Sequence, residues 1–238
     1  MLNKLLLLAG VFSVFSMKKL YSAYPLYPKA PKNETIVCLH GFLRTKWSMA
    51  RITKFMQKEG YRVVNHGYPT RDKTIEDHGA DLIDVLAELS KKFPGQPIHF
   101  VTHSMGALVV RAAINHPACP NEAKSGRAVL MAPPNQGSAF GRSIQDLELV
   151  RWAAGSGAGR QLIETDEHGF NPLGEFPPTM NVLVIAGQHD NKVSLEEARL
   201  NMAHDFIILS CGHSLIMYNR KAIRIAKDFL SAKTLGEK

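Results

Sequence analysis

The segment Ile98–Ala107 (IHFVTHSMGA) sets a serine, Ser104, between an apolar run that reads as a buried strand and a helical pattern opening at Met105. On a tight strand-to-helix turn the hydroxyl is lifted above the end of the sheet. The next backbone N–H then lies at the positive end of the helix, where an oxyanion can be held. Gly106 is expected because a β-carbon two residues past the serine would strike the incoming strand. The competing reading is an ordinary helix cap by Ser104. A nucleophilic serine needs a base, and the base needs a carboxylate to orient it; the chain offers ten histidines. Other chemistries find no support in the sequence. There is no H-E-x-x-H and no clustered Cys/His spacing for a metal. There is also no G-x-G-x-x-G or phosphate loop, so no cofactor is implied. Cys38, Cys119 and Cys211 are too few and too scattered for a disulfide framework, and Cys38 reads as a small buried hydrophobe.

The elements that must position the serine follow from hydrophobic patterning. Apolar runs at 35–39, 61–65, 97–102, 127–131, 181–186 and 206–209 read as strands. Helical stretches are expected from Trp47 to Lys58, from Ile75 to about Leu89, from Met105 to Ile114, and at the end, where Leu215, Ala222, Ile223, Ala226, Phe229 and Leu230 share a stripe. Six short apolar strands alternating with helices predict an α/β fold: a mostly parallel sheet with helices on both faces. Residues 137–178 break this rhythm with many glycines and Pro172, Pro177 and Pro178, and an excursion of that length predicts a cap or lid.

The chain resembles the α/β-hydrolase fold, and more closely its bacterial lipase and esterase branch. The G-x-S-x-G elbow appears as Thr102-His103-Ser104-Met105-Gly106, with threonine in place of the first glycine. The H-G pair that precedes an oxyanion-hole residue appears as His40-Gly41-Phe42 at the end of the first strand. The resemblance implies that the N–H groups of Phe42 and Met105 form the oxyanion hole and that His40 is structural. It also implies the chain order serine, acid, histidine. Ser210-Cys211-Gly212-His213-Ser214 matches the family's G-H-S placement, which makes His213 the base in preference to His204. Gly187-Gln188-His189-Asp190-Asn191-Lys192-Val193 matches the G-x-x-D-x-x-V loop, which makes Asp190 the acid in preference to Glu164, Asp166 or Asp205. The loop from Ala132 to Ser138 resembles a P-x-x-G-S segment that edges the pocket, although proline and glycine alone would also dictate a turn there. Trp47 lines the acyl pocket or serves as a core aromatic. The implied activity is hydrolysis of carboxylic esters through an acyl-enzyme. Thioester cleavage or acyl transfer on the same machinery, or a hydrolase-like protein that only binds at a membrane, are the alternatives.

The chain has 238 residues and a formal net charge of +8. Residues 1–60 hold ten basic and two acidic side chains, whereas the remainder holds 19 of each. A basic amino-terminal quarter without a reading motif argues for anionic lipid and against a nucleic-acid footprint. The run from Leu5 to Phe15 (LLLLAGVFSVF) is about 17 Å long as a helix, too short for a simple span. Residues 1–22 are therefore expected to be a signal peptide or membrane-anchoring leader, and 23–238 the catalytic domain. The expected location is membrane-associated or exported, and the expected partners are a small-molecule or lipid ester and a membrane surface.

Overall fold

A computed structural model describes residues 32–166 and 168–231 of the chain. The leader expected at residues 1–22 lies outside them. Six strands, β1 (Thr35–Leu39), β2 (Arg62–His66), β3 (Ile98–His103), β4 (Arg127–Met131), β5 (Asn181–Gly187) and β6 (Asp205–Leu209), form one sheet in the order β2-β1-β3-β4-β5-β6. Every neighbouring pair is parallel.

Parallel sheets are covered on both faces, so their strands carry apolar residues at successive positions. Alternate residues of each strand feed two separate cores. Val37, Leu39, Phe100, Leu130 and Val184 face α2 (Ile75–Lys92) and α3 (Met105–Asn115). Ile36, Cys38, Val101, Val129 and Ile185 face α1 (Ala50–Lys58) and the last helix, α8 (Arg220–Ser231). Cys38 is fully buried among them, as expected of a small hydrophobe. Helix α2 begins with a reciprocal cap, in which Thr74 Oγ1 accepts from Asp77 N–H and Asp77 Oδ2 accepts from Thr74 N–H.

Two expected helices differ in detail. The stretch from Trp47 begins as a 3-10 turn, Lys46–Met49, before α1. The final stripe is split by a 3-10 turn, His213–Tyr218, that ends ahead of α8. Leu215 sits on that turn, exposed, rather than on the helix stripe. The region 137–178 is not an irregular loop. It carries α5 (Ala139–Ile144), α6 (Glu148–Ala154), α7 (Ala158–Ile163) and a 3-10 turn at Asn171–Leu173; the short helix Asn121–Lys124 ahead of β4 is α4. Each of these helices is under two turns, too short to show periodicity in sequence.

Candidate active site

Ser104 has φ 51° and ψ −126°, a left-handed conformation rarely adopted by a residue with a side chain. The turn is held by Ser104 N–H donating to Met131 O at 2.9 Å. It is also held by close packing: a β-carbon on Gly106 would lie 2.8 Å from both Leu39 O and His40 O. The obstruction is thus the end of β1, not the incoming strand β3. Ser104 makes no side-chain cap to α3. Its hydroxyl instead lies 3.1 Å from His213 Nε2. Thr102, at the place of the first glycine, is fully buried at the end of β3 without displacing the turn.

His213 opens the 3-10 turn after β6, and its Nδ1 lies 2.7 Å from Asp190 Oδ2. Asp190, in the loop after β5, accepts at Oδ1 from the N–H groups of Lys192 at 2.8 Å and Val193 at 3.0 Å. Burial pushes this carboxyl up, but the hydrogen bond and charge of His213 and the two N–H donors outweigh burial, and it lies below the usual carboxylate range. His213 O also faces His103 Nε2 at 3.0 Å, which ties His213 to the residue before Ser104. Burial, then the neighbouring His213, pushes the His103 imidazole down to about 3, so it is neutral and serves to position His213.

The loop after β1 is fixed from the β2 side. Tyr68 donates its hydroxyl to His40 O at 2.6 Å and stacks on the His40 ring, and Leu43 N–H donates to Thr70 Oγ1 at 3.2 Å. Gly41 faces the elbow so closely that a β-carbon there would lie 2.9 Å from Ser104 Cβ. Among the described residues, neither Phe42 N–H nor Met105 N–H has a hydrogen-bond acceptor. His40 is buried and pushed down to about 4 by its burial. His204 lies in the turn before β6 against Phe206, and Asp205 begins β6 at the opposite end of the sheet from Ser104. Asp166 caps its own turn by accepting from His168 N–H, and Glu164 pairs with Arg160. None of these reaches Ser104.

Above the serine is a cavity of about 300 Å³. Phe42, Phe140, Ile144, Val150, Leu162 and Ile163 supply much of its wall, with His213 and Ser104 on the floor. Pro134 and Ser138 reach the edge, so the 132–138 loop is both a turn and a pocket border. Trp47 does not line this cavity and is exposed, contrary to both expectations for it.

The expected alternation of strands and helices carried no signal for how the insert is fastened. Arg111, fully buried in the middle of α3, donates to Gly174 O at 2.8 Å and Phe170 O at 3.3 Å, and its guanidinium lies 3.5 Å from Glu175. Its mark in the sequence is one cation inside the otherwise apolar stretch from Ala107 to Ile114. Ser138 caps α5 and donates to Lys192 O at 2.6 Å, joining the insert to the Asp190 loop. Gly157 N–H and Ala158 N–H donate to Arg71 O and Lys73 O at 2.9 and 2.6 Å. Gly159 admits the Phe42 ring, which a β-carbon would strike at 2.4 Å.

The family model described as the alpha/beta hydrolase family matches residues 36–178. The chain belongs to that family. No curated protein matches the sequence. Among solved structures, this alpha/beta hydrolase is similar to the mature lipase BlEst2 of Bacillus licheniformis, with a TM-score of 0.67 and 20% identity over 88% of this chain and 96% of that one. It is also similar to a monoacylglycerol lipase of Paleococcus ferrophilus, with a TM-score of 0.61 and 13% identity over 87% and 97% of the two chains. A third is carboxylesterase CesB (YbfK) of Bacillus subtilis, with a TM-score of 0.59 and 15% identity over 87% of each chain. At these identities the likeness is one of fold.

Proposed function

We propose that this alpha/beta hydrolase is a serine hydrolase that cleaves carboxylic esters of lipase or esterase type through an acyl-enzyme. The observation that carries the proposal is the unbroken chain from Ser104 Oγ through the His213 ring to Asp190, at 3.1 and 2.7 Å. Asp190 holds the proton on His213 Nδ1, which leaves Nε2 free to accept the Ser104 proton as the hydroxyl attacks the ester carbonyl. The tetrahedral oxyanion is received by the N–H groups of Phe42 and Met105, and donors so placed are worth roughly 2.7–4 kcal/mol each. His213 then protonates the leaving alcohol, and water enters by the same route in reverse.

The apolar cavity suits the acyl chain, where each methylene buried contributes about 0.8 kcal/mol. The insert at 137–178 forms the cavity's cover, and the leader at 1–22 delivers or tethers the enzyme to a membrane or beyond it. Hydrolysis of a series of p-nitrophenyl esters of increasing chain length tests this reading. Wild-type protein is expected to show a preferred length with Ser104→Ala inactive. Equal rates for the two proteins would contradict it.

A further inference from the structure

Both tryptophans of the chain are exposed, Trp47 by 73% and Trp152 by 69%. Tryptophan is on average a well-buried residue, so two such rings facing solvent call for a partner. They are not isolated. Leu43, Leu147, Leu149 and Leu215 are also exposed, and each of these six lies within three residues of one that lines the cavity. Phe140, which like Leu43 lines the cavity itself, is exposed as well. Of the exposed large apolar side chains among the described residues, Ile208 alone, on the edge strand β6, lies elsewhere.

Each tryptophan also carries a cation. Lys46 Nζ lies 5.9 Å over the Trp47 ring; the Arg71 guanidinium lies 5.1 Å over Trp152, and its Nη2 donates to Trp152 O at 2.7 Å. Arg44 and Lys192 line the cavity itself. The carboxylates nearest in sequence to these groups are Asp72, Asp146 and Glu148, all exposed, and Asp190 beside Lys192, which is engaged with His213. Beyond Trp47 the positive charge continues: Arg51, Lys54 and Lys58 of α1 face Arg220 and Arg224 of α8 across a groove that no carboxylate lines. None of those five cations makes an ion pair among the described residues.

We propose that the rim of the cavity is a docking surface for an anionic phospholipid bilayer, with Trp47 and Trp152 as anchors at the headgroup level on the oxyanion-loop and insert sides of the mouth. Indole rings are favoured at that depth, where the apolar face meets acyl chain and the N–H stays near water. Flanking lysine and arginine meet the lipid phosphates, each cation near the surface strengthening binding about fivefold, the equivalent of ~1 kcal/mol. A second copy of the chain fits this rim less well, because a two-fold contact would bring the same cations together. No helix among the described residues is long and apolar enough to cross a membrane, and the rim meets the bilayer at its surface. The proposal deepens the ester-hydrolase reading by naming the surface on which the substrate is met, and rests on that reading for its activity arm alone.

The test uses the full chain and vesicles of ether-linked phospholipid, which an esterase does not cleave. The Trp47→Phe and Trp152→Phe proteins each leave one reporter, and the apolar run at 5–15 contains no tryptophan to add signal. Both reporters are expected to shift to the blue and to be quenched by doxyl-labelled lipid when phosphatidylglycerol is present. The response should weaken in phosphatidylcholine alone or in high salt. The Trp47→Ser/Trp152→Ser protein is expected to hydrolyse a soluble short-chain ester at the wild-type rate and to lose tenfold or more on an ester dispersed in the vesicles. A reporter that stays unshifted, a blue shift that grows with protein concentration without vesicles, or full vesicle activity in the double variant would each overturn the docking surface. A protein that responds to vesicles but cleaves no ester would defeat the hydrolase reading and leave the surface standing.

Discussion

The floor and the roof of the cavity are built by opposite rules. The floor is the carboxyl-terminal edge of the sheet, where Ser104 is held at positive φ by a strand, a helix and the end of β1 at once. His213 and Asp190 are fixed there by hydrogen bonds at both ends of the ring. The roof is three helices of six or seven residues, pinned at Arg111, Ser138 and Gly157 and carrying Trp152 into solvent. Strain is tolerated on the floor because the surrounding packing over-determines it. Apart from Ala158, Gly159 and Leu162 of α7, which pack on the core and on Phe42, the roof helices pack on one another, so their other side chains can vary without disturbing the serine. Under the proposed ester hydrolysis, the chemistry falls to the floor and the choice of acyl chain to the roof.

The largest effects are expected on the floor. His213→Ala should lower turnover by about six orders of magnitude and Asp190→Asn by about four, since an asparagine presents the wrong partner to His213 Nδ1. Steady-state hydrolysis of the preferred ester, with circular dichroism to confirm folding, measures both. A mild Asp190→Asn effect beside a severe loss in Asp166→Asn would move the acid to the roof and dissolve the contrast.

Roof variants should change preference rather than rate. Leu162→Ala enlarges the cavity wall without touching Ser104, so the chain-length optimum should move to longer esters. Each added methylene that becomes buried should gain roughly fourfold in kcat/KM, the equivalent of about 0.8 kcal/mol. An unchanged profile would mean that the acyl chain does not lie under α7.

The smallest effect concerns pH and the histidines under the floor. His40 and His103 fold with pKa values of about 4 and about 3, against an ordinary value of 6.5. Below pH 6.5 the unfolded chain binds protons that the folded chain refuses, so their contribution to stability is full above pH 6.5 and declines as pH falls toward 4. The slope is at most about 1.4 kcal/mol per pH unit for each histidine. Urea midpoints between pH 7 and pH 4.5 should fall, and His40→Gln should flatten that fall. Midpoints in His40→Gln as steep as in wild type would show that His40 is not protonated on unfolding in this range.

The sheet was legible in the sequence because each strand is a short apolar run between helices, and β1 and β4 lie at the residues the patterning gives. The pairing of Ser104 with Asp190 and His213 needed the family resemblance, because no periodicity links residues 86 and 109 positions apart. The roof was legible only as an interruption: helices below two turns carry no readable period. Trp47 departs from both of its expected places for a physical reason. An aromatic at a helix start packs inward by default, and only the fold shows that this turn sends Met49 into the core and Trp47 into solvent.

Ser104 as the activated nucleophile is the claim on which the floor's assignment stands, and a fluorophosphonate probe followed by peptide mass analysis tests it most directly. The result expected is a single adduct on the Ser104 peptide of the wild-type protein, absent from Ser104→Ala and strongly slowed in His213→Ala. An adduct on another serine, or no adduct on folded wild-type protein, would contradict it.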